Sequence, residues 1–240
     1  MFKIISTITL AICICTLTAA SAEKRVLVVN KGKGGHASAD GLKRFKNDVL
    51  DVKPDYLILY FGMNDANNPR RRVTPVVFKK NMQTMIDEAN QNGIKNIILV
   101  TINPINQQLL EKRVGNHPGK QDLNKYLAKF NKAITDLAKK NKLALIDLRA
   151  LCMKYGGGND VKESLIRVNA NGGKNDGVHL TAQGYKEFAK LFIPYFKGKI
   201  KPGDVVVCMG DSITFGAHMP GAGTINGQTY PAWVSVYLNQ

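Results

Sequence analysis

Residues 205–212 have the sequence VVVCMGDS, an apolar run that ends in a Gly-Asp-Ser turn. A short, uninterrupted run of β-branched and other apolar residues is typical of a strand buried on both faces of a parallel sheet. Open α/β sheets bind their ligands at the carboxyl ends of such strands. The segment therefore predicts a parallel sheet and a candidate site at its rim.

The rest of the chain repeats this pattern of apolar runs and separates them by amphipathic stretches. The predicted strands are residues 25–30, 56–61, 96–101, 143–147 and 205–209. The predicted helices are residues 40–50, 75–91, 121–140, 182–196 and 230–238. Strands that alternate with helices of this length form right-handed βαβ units, so we expect an α/β fold of three layers with helices on both faces of the sheet.

Three glycine-bearing turns follow predicted strands. They are residues 30–36 (NKGKGGH), residues 62–65 (GMND) and the Gly210-Asp211-Ser212 turn. A fourth group, Asp176-Gly177-Val178-His179, precedes a helix that Thr181 can cap. We expect all four groups to lie at one rim of the sheet. The residues that follow the strand at 96–101 indicate no particular chemistry.

These groups supply the residue types that ester hydrolysis by a serine requires. A serine hydroxyl is a weak nucleophile, so Ser212 needs a base, for which His179 is available, and a carboxylate such as Asp176 to orient that base. The developing oxyanion needs preorganised donors. The backbone N–H groups of Ser212 and Gly35 and the side-chain amide of Asn64 are the candidates.

Each group alone also has a purely structural explanation. Gly-Asp-Ser is common in turns, Asn64 and Asp65 can cap the following segment, and His179 can be a hydrogen-bonded surface residue. The glycine run 32–35 could cradle a phosphate, but it lacks the spacing of a P-loop or a dinucleotide-binding turn. Only the combination of the four groups favours catalysis.

The four groups together resemble the motif blocks of the SGNH, or GDSL-type, hydrolase family. The resemblance implies Ser212 as nucleophile, His179 as base and Asp176 as orienting carboxylate, with the oxyanion held by Ser212, Gly35 and Asn64. It also implies a flavodoxin-like, five-stranded parallel sheet and chemistry that needs no cofactor. It covers nearly all of the chain after the first 22 residues.

The serine block comes last in this chain, whereas family members carry it near the amino terminus. Joining Gln240 to Glu23 restores the family order, so we expect a circular permutation. The family-like strand order 2-1-3-4-5 then becomes 1-5-2-3-4 in the numbering of this chain.

The first 22 residues have the pattern of an export signal. Lys3 precedes an apolar run at 4–17, and Ala20-Ser21-Ala22 is a small-x-small site that predicts cleavage after Ala22. Lipidation is not expected, because Ile14 precedes Cys15. No later run has the roughly 20 apolar residues of a membrane span, so we expect a secreted or periplasmic protein with one domain, residues 23–240, and no stable membrane insertion.

The chain has a formal net charge of +16, which favours anionic surfaces or substrates. We expect no nucleic-acid partner, because the chain carries an export signal and no recognisable nucleic-acid-binding module. Arg70-Arg71-Arg72 follows the Asn64 turn and either binds an anionic substrate or lies in a solvated loop. The oligomeric state stays open.

The remaining cysteines and the histidines give no sign of a disulfide or a metal. Only Cys152 and Cys208 remain after the export signal, and we expect both to be buried free thiols. The four histidines are scattered along the chain, so no metal site is predicted.

The function expected from the sequence is therefore hydrolysis of short-chain acyl esters, chiefly acetyl esters on a carbohydrate, with a small molecule or a polysaccharide as the substrate. A lysophospholipase or a thioesterase of the same family is the nearest alternative, and no extended apolar lid supports it. A non-catalytic glycan-binding module on the same fold is the other alternative, although such a module would be expected to lose at least one of Ser212, His179 and Asp176.

Overall fold

A computed structural model describes residues 25–115 and 122–240, so the predicted export signal lies outside the described residues. One parallel sheet of five strands runs through the described part. Its strands are β1 (Leu27–Gly32), β2 (Tyr56–Tyr60), β3 (Asn96–Val100), β4 (Ala144–Ile146) and β5 (Val205–Gly210). The strand order β1-β5-β2-β3-β4 confirms the predicted order, and the serine strand lies between β1 and β2.

Helices cover the sheet on both faces. They are α1 (Ser38–Phe45), α2 (Met63–Asn67), α3 (Pro75–Gln91), α4 (Gln107–Val114), α5 (Leu123–Asn141), α6 (Leu148–Lys154), α7 (Ala182–Lys190), α8 (Ile193–Phe196), α9 (Ser212–Phe215) and α10 (Tyr230–Leu238). The hydroxyl of Thr181 accepts a hydrogen bond from the N–H of Gly184 at 3.0 Å and begins α7, as the sequence predicts.

The alternation of side chains along each strand separates two cores. Leu57 and Leu59 of β2 point to one face and pack in a cluster with residues of α1, α3 and α5. Ile58 and Tyr60 point to the other face and pack with residues of α7, α8 and α10. Because successive strand residues face opposite sides, a strand that is apolar throughout serves both layers.

Several predicted boundaries differ from the structure. The single helix predicted over residues 182–196 is two helices, since Pro194 lies in the first turn of α8 and cannot continue α7. The helix predicted over 40–50 begins at Ser38, and its last turn, Lys46–Leu50, is a π-helix. The short helices α2, α4, α6 and α9 were not predicted, because none is long enough to show a helical period.

The carboxyl ends of β1, β2 and β5 meet at one rim of the sheet, where their following turns lie side by side. The irregular segment after α6 reaches the same region and contains a short 3-10 turn, Asn169–Asn171. None of the helices in residues 25–115 and 122–240 has the length and apolar character needed to cross a membrane.

Candidate active site

Ser212 lies at the first position of α9, directly after β5. Asp211 begins the helix, and its carboxylate accepts a hydrogen bond from the N–H of Ile213 at 2.8 Å. The turn needs glycine at position 210, where a Cβ atom would lie 2.1 Å from the hydroxyl of Thr214. First-turn N–H groups have no acceptor within a helix, so the N–H of Ser212 can serve a ligand.

Asp176 and His179 are held by a compact turn. Asp176 Oδ1 accepts hydrogen bonds from the backbone N–H groups of Val178 and His179, each at 3.0 Å. Both carboxylate oxygens lie 2.9 Å from His179 Nδ1. Gly177 has a φ of +76°, and a Cβ there would lie 2.7 Å from the carbonyl oxygen of Asn106.

The hydroxyl of Ser212 lies at the other end of the imidazole. His179 Nε2 is 3.0 Å from Ser212 Oγ, a separation of 33 residues along the chain. With Nδ1 held by Asp176, Nε2 is the nitrogen that is available to accept the serine proton. This arrangement can activate a serine hydroxyl for attack on a carbonyl carbon.

The predicted oxyanion donors lie beside the serine. Ser212, His179, Gly35 and Asn64 line one cavity of about 260 Å³, and Asp176 lies buried behind the histidine. The side-chain amide of Asn64 donates one hydrogen bond to the carbonyl of His36 at 3.0 Å. An amide nitrogen carries two N–H donors, so the second can serve an oxyanion.

Asp65 fixes the glycine turn in front of the serine. Its carboxylate accepts hydrogen bonds from the backbone N–H of Ser38 at 2.9 Å and from the hydroxyl of the same residue. Asn81 donates to that hydroxyl at 3.0 Å. Burial raises the pKa of Asp65 to about 6, and the two bonds from Ser38 act against that rise. Asp65 lies within α2, whose N-terminal cap is Gly62, so it does not cap that helix as the sequence also allowed.

Asn103 supports the histidine from the end of β3, where the sequence is less informative. The side chain is fully buried and donates to the carbonyl of Val178 at 2.9 Å. The hydroxyl of Tyr60 donates to Asn103 Oδ1 at 2.6 Å. In the sequence, this role is indicated only by an amide side chain that follows a predicted strand.

Three basic side chains that the sequence did not indicate surround Asp176. Arg113 Nη1 lies 3.5 Å from Oδ1, whereas Arg167 Nε and His218 Nε2 lie 3.4 and 3.2 Å from Oδ2. The ring of His218 packs edge to face on that of His179, with 4.9 Å between centroids. Arg167 lies earlier in the same loop as Asp176, whereas Arg113 and His218 are far from it in the chain, so no sequence motif reveals the three together.

These contacts determine the charge state of the site. Burial acts to raise the pKa of Asp176, but the hydrogen bonds from His179 and Val178 outweigh burial and hold that pKa well below its usual range. Burial, reinforced by the nearby His179, lowers the pKa of His218 below its usual value. Asp176 is therefore a carboxylate at neutral pH, and His218 is a polar neighbour of that carboxylate at 3.2 Å.

Asp176, His179 and His218 are also the one grouping in the described residues whose ligand atoms could hold a metal ion, all within 4.8 Å of one another. No metal site was predicted, because His218 is distant from the other two residues in sequence. The guanidinium groups of Arg113 and Arg167 oppose a cation at this carboxylate. The grouping therefore fits hydrogen bonding to Asp176 better than metal binding.

The basic triplet is largely engaged within the protein. Arg71 forms an ion pair with Asp40, and Arg72 Nη2 donates to the carbonyl of Asn67 at 3.4 Å. Arg70 is exposed. The triplet does not act as a unit toward the cavity.

The buried cysteines have no part in this site. Cys152 and Cys208 are free thiols, as predicted, and burial raises the pKa of Cys152 to about 12 and holds the pKa of Cys208 well above its usual value. Both remain protonated near neutral pH, so neither is a competing nucleophile.

Comparison with known proteins gives a family and a curated relative. The profile of the GDSL-like lipase/acylhydrolase family matches residues 16–187. The uncharacterized lipoprotein YqeF of Bacillus subtilis (strain 168) is 30% identical over 172 residues, which is 65% of this chain and 68% of YqeF.

Solved structures have the same fold. A lipase/acylhydrolase from Enterococcus faecalis is 26% identical with a TM-score of 0.54, over 70% of this chain and 74% of that one. The acetyl xylan esterase AlAXEase is 23% identical with a TM-score of 0.51, over 68% of this chain and 78% of that one. The second likeness concerns the fold alone.

Proposed function

This chain belongs to the GDSL-like lipase/acylhydrolase family and is a carboxylic ester hydrolase, and we propose that it is an exported serine esterase for short acyl groups, chiefly acetyl groups on carbohydrates. The observation that carries the proposal is the line of contacts from Asp176 through His179 to the hydroxyl of Ser212. Acyl transfer by a serine requires a carboxylate, an imidazole and a hydroxyl in hydrogen-bonding contact in that order, and the three side chains have this arrangement.

The proposed reaction has two steps. Ser212 Oγ attacks the ester carbonyl, its proton passes to His179 Nε2, and the tetrahedral oxyanion is held by the N–H groups of Ser212 and Gly35 and by the amide of Asn64. His179 then protonates the alcohol oxygen as its bond to the carbonyl carbon breaks, and the acyl group remains on Ser212. A water molecule then attacks the acyl-serine and gives a proton to the same nitrogen, which returns it to Ser212 Oγ as the bond to the acyl group breaks and the carboxylic acid leaves.

The size of the cavity supports a short acyl group. Its volume of about 260 Å³ lies below the roughly 300–1,000 Å³ of sites for drug-sized ligands. The apolar part of its wall comes from Met63, Leu110 and Val178, and the space that they enclose is small. A lysophospholipase or a thioesterase for long chains would need a longer apolar channel, so these alternatives are disfavoured.

Two similar proteins and the first residues of the chain support the carbohydrate and the exported location. The name of the structurally similar acetyl xylan esterase favours an acetylated sugar, and the name of the relative YqeF favours a location outside the cytoplasm. The export pattern of residues 1–22 agrees with that location. We propose that residues 23–240 form the exported hydrolase domain.

We also propose that the chain is a circular permutation of the family order. The family profile ends at residue 187, before the serine block at Gly210-Asp211-Ser212, although β5 lies inside the sheet between β1 and β2. A serine strand that pairs on both sides and is the last of the described strands is what a permuted connection would produce. The catalytic geometry does not depend on where the chain is opened.

A panel of nitrophenyl esters of rising chain length, followed by acetylated polysaccharides with acetate release measured, tests the function. We expect acetyl and other short esters to be preferred, and Ser212→Ala to lower turnover by a factor on the order of a thousand or more while leaving the fold intact. Near-normal turnover in that variant would overturn the serine mechanism. Glycan binding without turnover in the wild type would favour the non-catalytic module.

A further inference from the structure

The cavity beside Ser212 has an unbalanced charge. Arg113 and His179 are the basic residues among its described lining, and none of the described residues that line it is Asp or Glu. The remaining walls are apolar or carry neutral amides, including Met63, Leu110 and Asn68. An arginine in a small cavity with no lining carboxylate favours an anionic group on the ligand.

Asp176 has many other partners and does not need Arg113 for its neutralisation. It accepts hydrogen bonds from His179 Nδ1 and two backbone N–H groups, and Arg167 and His218 lie within 3.4 Å. The 3.5 Å contact of Arg113 is longer than the about 2.7–2.9 Å of a charge-assisted hydrogen bond. Two arginines and one carboxylate leave a net positive charge at this wall.

We propose that Arg113 is a specificity residue that binds a carboxylate carried by the substrate close to its ester bond. The guanidinium group is planar and presents paired N–H donors that match a carboxylate. Its side chain is 35% exposed, so it is reachable from solvent and only partly desolvated. The proposal rests on the proposed esterase function and narrows its substrate class.

The apolar walls indicate how such a substrate would lie. Met63, Val114 and Val178 can pack against the few carbons that join the ester to the carboxylate. Two kinds of ester have this chemistry. The carboxylate can belong to the acyl group, as in a succinyl ester, or to the alcohol, as in an acetylated uronic acid.

Arg167 provides a matched control for Arg113. Both guanidinium groups contact the carboxylate of Asp176, at 3.4 and 3.5 Å, but only Arg113 lines the cavity. Because these two distances are nearly equal, we expect the removal of either cation to disturb Asp176 to a similar extent. Only the removal of Arg113 takes away the proposed partner of the substrate carboxylate.

The experiment compares kcat/KM for acidic and neutral esters in matched pairs. Nitrophenyl hydrogen succinate is compared with nitrophenyl butyrate, and acetylated glucuronic acid with acetylated glucose. The wild type should prefer the acidic member of at least one pair, and that pair identifies the side of the ester that carries the carboxylate. Added salt should weaken the preference.

Arg113→Gln should reduce the preference roughly tenfold to hundredfold, the range expected for loss of a hydrogen bond to a charged group. Arg113→Lys should restore part of the preference. Arg167→Gln should lower kcat/KM for the acidic and the neutral ester alike and leave the ratio of the two within about twofold of the wild type, since Arg167 does not line the cavity. Equal ratios in the wild type and in Arg113→Gln would overturn the inference.

The two proposals fail in distinguishable ways. Hydrolysis of neutral esters with no preference for either acidic ester would refute the role of Arg113 and leave the esterase function standing. Hydrolysis that persists in Ser212→Ala would refute the serine mechanism itself. An equal loss of the ratio in Arg113→Gln and Arg167→Gln would assign the effect to Asp176 and refute the specificity role.

Discussion

The side-chain amide of Asn239 forms two hydrogen bonds with the backbone of Val26. Asn239 Oδ1 accepts from the N–H of Val26 at 2.9 Å, and Nδ2 donates to its carbonyl at 3.1 Å. These residues are 213 positions apart in the chain. The amide nevertheless bonds to both the N–H and the carbonyl of the residue just before β1, as the backbone of a neighbouring strand would. The last helix therefore ends beside the start of the first strand.

The adjacency of Val26 and Asn239 leads to a prediction about the permutation. A chain in which Gln240 is joined to Glu23 by a flexible linker of a few residues, and which is opened between Gly198 and Gly203, should fold and hydrolyse the same ester. Circular dichroism and ester turnover measure the two outcomes. Failure to fold at several linker lengths would contradict the permutation.

Asn64→Ala should lower kcat by about a hundredfold to a thousandfold with a smaller change in KM, because an oxyanion donor acts mainly on the transition state. Asn68→Ala is the comparison and should lower kcat less, since its amide donates to the carbonyl of Gly35 at 3.3 Å and to Asn64 Oδ1 at 3.5 Å but is not a proposed oxyanion donor. Steady-state kinetics on one short ester measure both variants. An unchanged rate in Asn64→Ala would remove Asn64 from the proposed site.

His218→Ala should lower kcat by roughly tenfold or less, because Asp176 loses a polar neighbour at 3.2 Å and keeps its hydrogen bonds from His179 and Val178. His218→Gln can still donate from its amide and should recover part of the loss. Both variants are compared with Asp176→Asn, for which we expect a loss of about four orders of magnitude. A loss in His218→Ala as large as in Ser212→Ala would mean that His218 takes part directly in the chemistry.

Asp211 should make folding stability depend on pH. Burial raises its pKa to about 7, with a smaller contribution from the nearby charge of Asp65, and the hydrogen bond from Ile213 acts against the rise. The folded state therefore holds this proton more tightly than the unfolded chain does. The stability that the proton contributes is present below the unfolded pKa and is lost as the pH rises through about 7.

Asp211→Asn keeps the shape of the side chain and removes this titration. Between about pH 5 and about pH 8 the wild type should lose stability as Asp211 ionises, and Asp211→Asn should not. The free energy of unfolding of the variant minus that of the wild type should therefore rise by more than about 1 kcal/mol, since a pKa difference of one is worth about 1.4 kcal/mol. Urea titrations at the two pH values measure the difference. Parallel stability curves for the two proteins would contradict a raised pKa at Asp211.

Local patterns were enough to predict most of the fold. The apolar run at residues 205–209 predicts a buried strand wherever it lies in the chain, and Thr181 marks the start of α7 through its own hydrogen bond. The strand order 1-5-2-3-4 followed from these elements together with the family resemblance. The break between α7 and α8 was missed because the amphipathic pattern of residues 182–196 continues through Pro194.

The sequence by itself determined the residue types and the local geometry of the site. Asp176 and His179 share one turn, and Ser212 follows its strand directly, so the chemistry was visible in short segments. Only the tertiary structure decided what surrounds them. Arg113 and His218 reach Asp176 from distant parts of the chain, Arg167 reaches it from earlier in the same loop, and Asn103 supports Val178 from the loop after β3. Strand period, capping and turn formation depend on neighbours in the chain, whereas these contacts depend on which loops the packed sheet brings to one rim.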